Sequence, residues 1–444
     1  MDDSKVCLAD VKVCVIGTWH LGTVYSACLA DLGYSVVGMD SDPERVKKLN
    51  QGIPPLFEPG LEDLLSRNLQ ASRLRYTTEI WEGINGARYI LIAYDTPVNE
   101  RDEVDLSQIW DIAGQLANHI DGSAVIVVSS QVPVGTCSKI KALIAETRPS
   151  LKFGIAYCPE NLRLGQAIDR FKNPDRLVIG ADDARTLGKV EALFSVIPAP
   201  KVRIDLRSAE MVKHALNAFL ATSISFGNEI ANLCDEVGAD ALKVMAALQL
   251  DERIGGKLPL SPGLGFAGGT LARDLKVIKK LGEEAGCATP LIDAVLAVNE
   301  RQNMVVIRKL EKAYGNLKGL TIGVLGLTYK AGTSTLRRSA AIEIIGELTF
   351  RGARVQAYDP RADPEEVAQH REFLFCSDSY RVAEAADALL ILTDWPEFKE
   401  LDFEQVKSLM KKPFILDARN MLDGEALAQK GFIYSGIGRG GALT

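Results

Sequence analysis

The run Val13-Cys14-Val15-Ile16-Gly17-Thr18-Trp19-His20-Leu21-Gly22 leads through a helical stretch into Gly33-Tyr34-Ser35-Val36-Val37-Gly38-Met39-Asp40. An apolar strand, a glycine turn, a helix and a second strand closed by an acidic residue make the βαβ unit that holds a dinucleotide. Asp40 follows Gly17 at about 20 residues, the spacing at which a carboxylate meets the ribose hydroxyls and favours NAD over NADP. Gly17 and Gly22 stand at the outer glycines of the turn, and Trp19 stands at the middle one. The middle glycine lets the backbone approach the pyrophosphate, so Trp19 either points away from the phosphates or alters their binding.

Outward from this unit, short apolar runs at Val11 to Ile16, Ser35 to Asp40, Tyr89 to Tyr94, Ala124 to Ser129, Phe153 to Tyr157 and Leu177 to Gly180 alternate with helical patterns. Continuous apolar strands separated by helices predict a parallel sheet covered on both faces, a doubly wound lobe over 1–204. From Asp205 to Glu236 strand character gives way to apolar residues at helical spacing, among them Met211, Leu216, Phe219, Ile230 and Leu233. Further helical patterns cover Ala239 to Leu248, Asp274 to Glu284 and Leu291 to Tyr314, which predicts an all-helical middle over 205–315. After Asn316 the α/β alternation resumes at Thr321 to Leu325, Ala340 to Arg351, Arg354 to Tyr358, Ala388 to Leu392 and Phe414 to Asp417. Ile322-Gly323-Val324-Leu325-Gly326, followed by Gly352 to Asp359, loosely repeats the opening unit and predicts a second Rossmann-like lobe over 316–444.

Length and composition agree with such a chain. At about 150 residues per domain, 444 residues make roughly three. Hydrophobic residues at 47% and charged residues at 25% match an ordinary globular protein, and no apolar run approaches the ~18 residues of a membrane span. Met1 to Lys5 has no basic-then-apolar secretion pattern, so the expected compartment is the cytoplasm. Eight scattered cysteines without a CxxC pair predict reduced core thiols and no zinc or disulfide framework; no metal is expected. A net charge of −7 disfavours nucleic acid and membrane surfaces as partners, so an anionic ligand needs a local cluster of Lys and Arg.

Lys213 and Asn217 lie four apart, on one face of the long predicted helix beside His214. Glu160, just past Pro159, falls at the carboxyl edge of the first sheet, where ligands of such folds bind. Gly263 to Gly269 is a glycine-rich loop leading to Thr270-Leu271-Ala272-Arg273-Asp274 and a helix, suited to close backbone approach to a ligand. In order along the chain there also occur Ile53-Pro54-Pro55-Leu56-Phe57-Glu58-Pro59-Gly60-Leu61, Thr96-Pro97, Val132-Pro133-Val134-Gly135-Thr136, Asn173-Pro174-Asp175-Arg176, Ala209-Glu210, Asn228-Glu229, Asp251-Glu252-Arg253-Ile254-Gly255, Gly326-Leu327-Thr328-Tyr329-Lys330 and Asp417-Ala418-Arg419-Asn420. Together they resemble the UDP-glucose/GDP-mannose dehydrogenase family over nearly the whole chain.

The resemblance implies NAD-dependent oxidation of a nucleotide sugar at its C6 alcohol for polysaccharide precursor synthesis, with a homodimer built through the central helix. It implies acid/base and water-positioning roles for Glu160, Lys213, Asn217 and Asp274, with Gln131 also at the catalytic site. Thr96 and Pro97 join the cofactor site. Lys330, Arg337 and Arg419, with Gly265 and Phe266, fall at substrate-binding positions, and Arg253 at one that reaches the partner subunit's site; a UDP-linked sugar is the expected ligand.

The residues around the reacting carbon depart from the pattern. Thr270 stands at the family's catalytic cysteine, Gln131 at its threonine, Arg273-Asp274 at its Lys-Asp pair, Asn161 and Leu164 at a Phe and a Glu, and Ser334-Thr335 at paired aspartates. A threonine hydroxyl needs a strong adjacent base, whereas a thiol ionises near pH 8.5. Hydride transfer itself needs no cysteine, so oxidation to the aldehyde or, through its hydrate, to the uronic acid both remain open, with Cys158 as a substitute nucleophile to be tested. Two other readings are a nucleotide-sugar-binding regulator without dehydrogenase chemistry and oxidation or epimerisation at a ring hydroxyl.

Overall fold

Successive residues along the strands feed different apolar clusters, and the sheets are therefore covered on both faces. In the first sheet Val13, Val15, Leu91 and Val127 pack on one side, while Cys14, Ile16, Ile90, Ile92 and Val128 pack on the other. The computed structural model describes residues 7–97 and 104–440; Met1 to Lys5 lies outside the described residues. Among those described, eight strands form the first sheet: β1 (Lys12–Ile16), β2 (Ser35–Met39), β3 (Leu74–Thr77), β4 (Tyr89–Ile92), β5 (Val125–Val128), β6 (Gly154–Tyr157), β7 (Leu177–Ala181) and β8 (Lys201–Ile204). Their order is β3-β2-β1-β4-β5-β6-β7-β8, so the strand order reverses at β1, the switch point beside which ligands of open α/β sheets bind.

Two strands and one direction differ from expectation. β8 at the sheet edge reads Lys-Val-Arg-Ile and is only partly buried, so it lacks the apolar run by which its neighbours are recognised, and β3 carries an exposed arginine in its middle. β7 pairs antiparallel to β6, a correction to the all-parallel expectation. An apolar run carries no sign of its direction, and the long β6–β7 connection with its short helix Ala167–Lys172 fits either sense.

The second sheet contains β9 (Thr321–Leu325), β10 (Arg354–Tyr358), β11 (Leu374–Phe375), β12 (Ala388–Ile391), β13 (Phe414–Asp417) and β14 (Ile433–Gly436), all parallel, in the order β11-β10-β9-β12-β13-β14. Its faces divide in the same way, with Ile322, Val324 and Leu390 on one side and Leu325, Leu389 and Ile391 on the other. In sequence, the strands of the two sheets are separated by the helices Leu206–Val237, Ala241–Gln249, Thr270–Ala285, Pro290–Gln302 and Met304–Tyr314. The single helical pattern expected over Leu291 to Tyr314 is interrupted at Asn303, whose side chain accepts from Gly265 N at 3.2 Å and donates to Glu343 at 2.7 Å. Two compact units part between Ala215 and Leu216, inside the long helix.

Candidate active site

In the first unit, Gly17 takes the left-handed φ of +85°, where a Cβ would lie 2.6 Å from the Tyr94 ring. A Cβ on Gly22 would lie 1.8 Å from the Gly17 carbonyl oxygen. Both positions demand glycine for steric reasons, and the cradle between strand and helix depends on them. Asp40, 2% exposed, accepts at Oδ2 from the Thr18 amide at 2.7 Å and hydroxyl at 3.1 Å, and at Oδ1 from Arg45 at 2.8 Å. Arg45 was not apparent as a site residue, since it lies in the next helix among other charged residues. The Trp19 side chain is 44% exposed, and Leu21 N, in the first turn of helix His20–Asp31, donates to Asp95 Oδ2 at 3.1 Å. The Thr96 hydroxyl donates to the Gln131 carbonyl at 2.9 Å, and the Pro97 carbonyl accepts from Asp105 N at 2.9 Å.

Lys213 is 7% exposed and places Nζ 2.8 Å from Glu160 Oε1 and 2.8 Å from the Glu160 carbonyl, while Leu162 N donates to Oε2 at 2.8 Å. A lysine of the long helix thus meets a carboxylate three residues past the end of β6. The residues beside it on the helix anchor it: His214 bonds the Val132 carbonyl at 2.9 Å, and the buried Glu210 carboxylate accepts from Gly135 N and, at 2.8 Å, from Cys137 N, capping helix Thr136–Thr147. Cys158 is a poor substitute nucleophile, because complete burial pushes its thiol up to about 12 and keeps it protonated.

In the second unit the opening turn is built again. Gly326 has φ +94° and its amide donates to the Tyr358 carbonyl at 2.8 Å, as Gly17 N does to Met39 at 2.9 Å. Asp359 accepts from Leu327 N, Thr328 N and the Thr328 hydroxyl at 2.8–2.9 Å, matching Asp40 on Thr18, with Trp395 Nε1 added at 3.1 Å. Lys330 Nζ lies 5.7 Å from the Tyr329 ring centroid and Arg419 donates to Asp394 at 3.2 Å. Arg337 is exposed, and exposed Arg253 holds Asp251 through two bonds at 2.9 and 2.7 Å.

The glycine-rich loop is pinned by side-chain amides. Asn228 accepts from Gly263 N at 2.9 Å, Asn299 accepts from Phe266 N at 2.7 Å, and Gln302 donates to the Gly263 carbonyl at 2.7 Å. A Cβ on Gly265 would come within 2.9 Å of Asn299, so the close approach there is between backbone and helix. Asn299, Gln302 and Asn303 share one helical face, a signal that their spacing of three and four carried in the sequence. At the loop's far end Gly268 N donates to the carbonyl of Arg338, a residue missed by sequence that holds φ +57° beside the expected Arg337. Thr270 opens the next helix as an exposed residue, and one turn on the fully buried Asp274 accepts from Asn217 Nδ2.

Residues 11–197 match the NAD binding domain of the UDP-glucose/GDP-mannose dehydrogenase family, 207–301 its central domain, and 323–424 its UDP binding domain. The chain belongs to this family. It is 41% identical to UDP-glucose 6-dehydrogenase TuaD of Bacillus subtilis, over 96% of this chain and 93% of that protein, and 38% identical to a UDP-glucose 6-dehydrogenase of Rhizobium meliloti, over 97% and 100%. A UDP-glucose dehydrogenase structure from Pyrobaculum islandicum superposes with a TM-score of 0.86 at 33% identity, covering 96% of this chain and 98% of that one. The protein is accordingly an NAD-dependent nucleotide-sugar dehydrogenase, and these relationships lend no support to a regulator without dehydrogenase chemistry. The glycine cradle at Gly17 and Gly22, with a carboxylate at the end of β2, fits NAD.

Proposed function

We propose that this dehydrogenase oxidises the C6 alcohol of a UDP-linked, glucose-like sugar by one hydride and releases the aldehyde, as a step toward polysaccharide precursors. Bound NAD supplies the hydride acceptor. Glu160 takes the hydroxyl proton and passes it to water, while the Lys213 ammonium stabilises the oxygen as negative charge grows on it. Asn217 and Asp274 hold a water or hydroxyl in place, with Gln131 beside the cofactor segment Thr96-Pro97. Lys330, Arg337 and Arg419 meet the diphosphate and nucleotide, Gly265 and Phe266 offer backbone to the sugar, and Arg253 completes the partner's site.

Thr270 carries the aldehyde reading. A threonine hydroxyl needs a strong adjacent base to become the nucleophile of a second, covalent oxidation, and among the described residues none is hydrogen-bonded to Thr270. In the proposed division, 1–204 binds cofactor, 205–315 dimerises and 316–444 binds UDP. All eight cysteines are free thiols, six of them buried, which supports a reducing compartment such as the cytoplasm.

Incubation with NAD and a panel of sugar nucleotides tests the substrate. UDP-hexoses with a free C6 hydroxyl are expected to yield NADH and GDP-sugars little; UDP-xylose, which lacks C6, should yield none. NADH formation from UDP-xylose would instead mean ring-hydroxyl oxidation.

Phe219, Phe226 and Leu233, spaced by seven on the long helix, are 59%, 47% and 58% exposed, a stripe that a second copy of this helix would cover. Phe226→Asp is expected to turn a dimer into a monomer in light scattering while leaving helix content unchanged. A dimer that persists in the variant would place the interface elsewhere.

A further inference from the structure

We propose that Asp95 is a built-in competitor for the cofactor's diphosphate and so sets how tightly the amino-terminal turn holds NAD. The first amides of a helix that follows a βαβ turn form the seat of a dinucleotide's pyrophosphate, because they point at it and carry the positive end of the helix dipole. In helix His20–Asp31 one of these amides, Leu21 N, already donates to Asp95 Oδ2 at 3.1 Å. The residue preceding the helix, Trp19, makes no side-chain cap, so this carboxylate reaches in from the segment after β4. β4 adjoins β1 at the strand-order reversal, which puts Asp95 on the cofactor's side of the sheet.

A carboxylate oxygen and a phosphate oxygen ask for the same N–H and carry the same sign of charge. They cannot share the seat without mutual repulsion. Asp40 differs in burial: it is 2% exposed, a carboxylate enclosed within the turn. Asp95 is only partly buried, so its carboxylate already borders water and is resolvated when a phosphate takes the amide. NAD therefore binds against an internal anion, and its release is assisted by that anion's return.

The test is a titration of ADP-ribose and of adenosine into the wild type, Asp95→Ala and Asp95→Asn. ADP-ribose carries the diphosphate without the nicotinamide, and adenosine carries no phosphate. The expected result is a gain in ADP-ribose affinity of about tenfold in Asp95→Ala, a smaller gain in Asp95→Asn, and unchanged adenosine binding in both; the gain should shrink as salt rises. Should the alanine variant fail to fold, the asparagine variant, which keeps the shape and loses the charge, decides alone. Unchanged or weaker ADP-ribose binding in the folded variants overturns the proposal, as does a parallel loss for both ligands, which would make Asp95 a support of the turn. The readout is binding without sugar, so it stands apart from the chemistry proposed at C6.

Discussion

Lys213→Ala is expected to lower kcat by about 10²–10³-fold, the usual loss when a positioned charge no longer meets a developing oxyanion. The lysine is buried against Glu160 with Nζ at 2.8 Å from both a carboxylate oxygen and the backbone carbonyl of that residue, so it is held in one place rather than sampling solvent. Substrate carries no charge on the C6 oxygen in the ground state, and KM should therefore change much less than kcat. Removing one member of a buried pair also costs about 3 kcal/mol of stability when the other is left uncompensated, here moderated by Leu162 N on Glu160 Oε2. Thermal unfolding of the variant measures that cost separately, and Lys213→Arg should restore stability more fully than turnover. A kcat within a few-fold of wild type would remove Lys213 from the chemistry.

Gly22→Ala is expected to weaken NAD binding by about 100-fold or more. The added Cβ would stand 1.8 Å from the Gly17 carbonyl oxygen, far inside contact distance, and a main-chain atom cannot rotate aside as a side chain does. The turn must open, which separates the helix's first amides from the strand and dismantles the pyrophosphate seat. Overpacking of this kind costs about 1–3 kcal/mol in stability, so the variant should still fold. UDP binding reports on the second unit and is expected to persist. Wild-type NAD affinity in the variant would show that the cofactor does not use this turn.

Much of this architecture could be read because the decisive residues are constrained by local sterics. Gly17 and Gly326 serve turns that tolerate nothing larger and directly follow apolar strands buried on both faces, and Gly22 lies where the following helix crosses the first turn, a pattern written directly in the sequence. The repeat from Gly17 to Asp40 and from Gly326 to Asp359 extends to its hydrogen bonds, since Asp40 meets Thr18, one residue past its glycine, and Asp359 meets Thr328, two past its own. Directions and edges were less legible: β7 reverses and β8 alternates, and neither property follows from an apolar run. The pairing of Lys213 with Glu160 depends on a contact between residues far apart in sequence, as does Asn217 with Asp274, and residue type alone named the members without their partners. Asp95, Arg45 and Arg338 went unnoticed because a single charged residue in a loop or helix has no periodicity to mark it; only the seat it occupies gives it meaning.

The most direct test of a one-hydride oxidation is the NADH formed per nucleotide sugar consumed, read together with product mass, for the best UDP-hexose of the panel. One NADH per sugar, with a product lighter by two hydrogens, is the predicted result. Two NADH per sugar with a uronic acid product would contradict it and show that Thr270 does not stop the second oxidation.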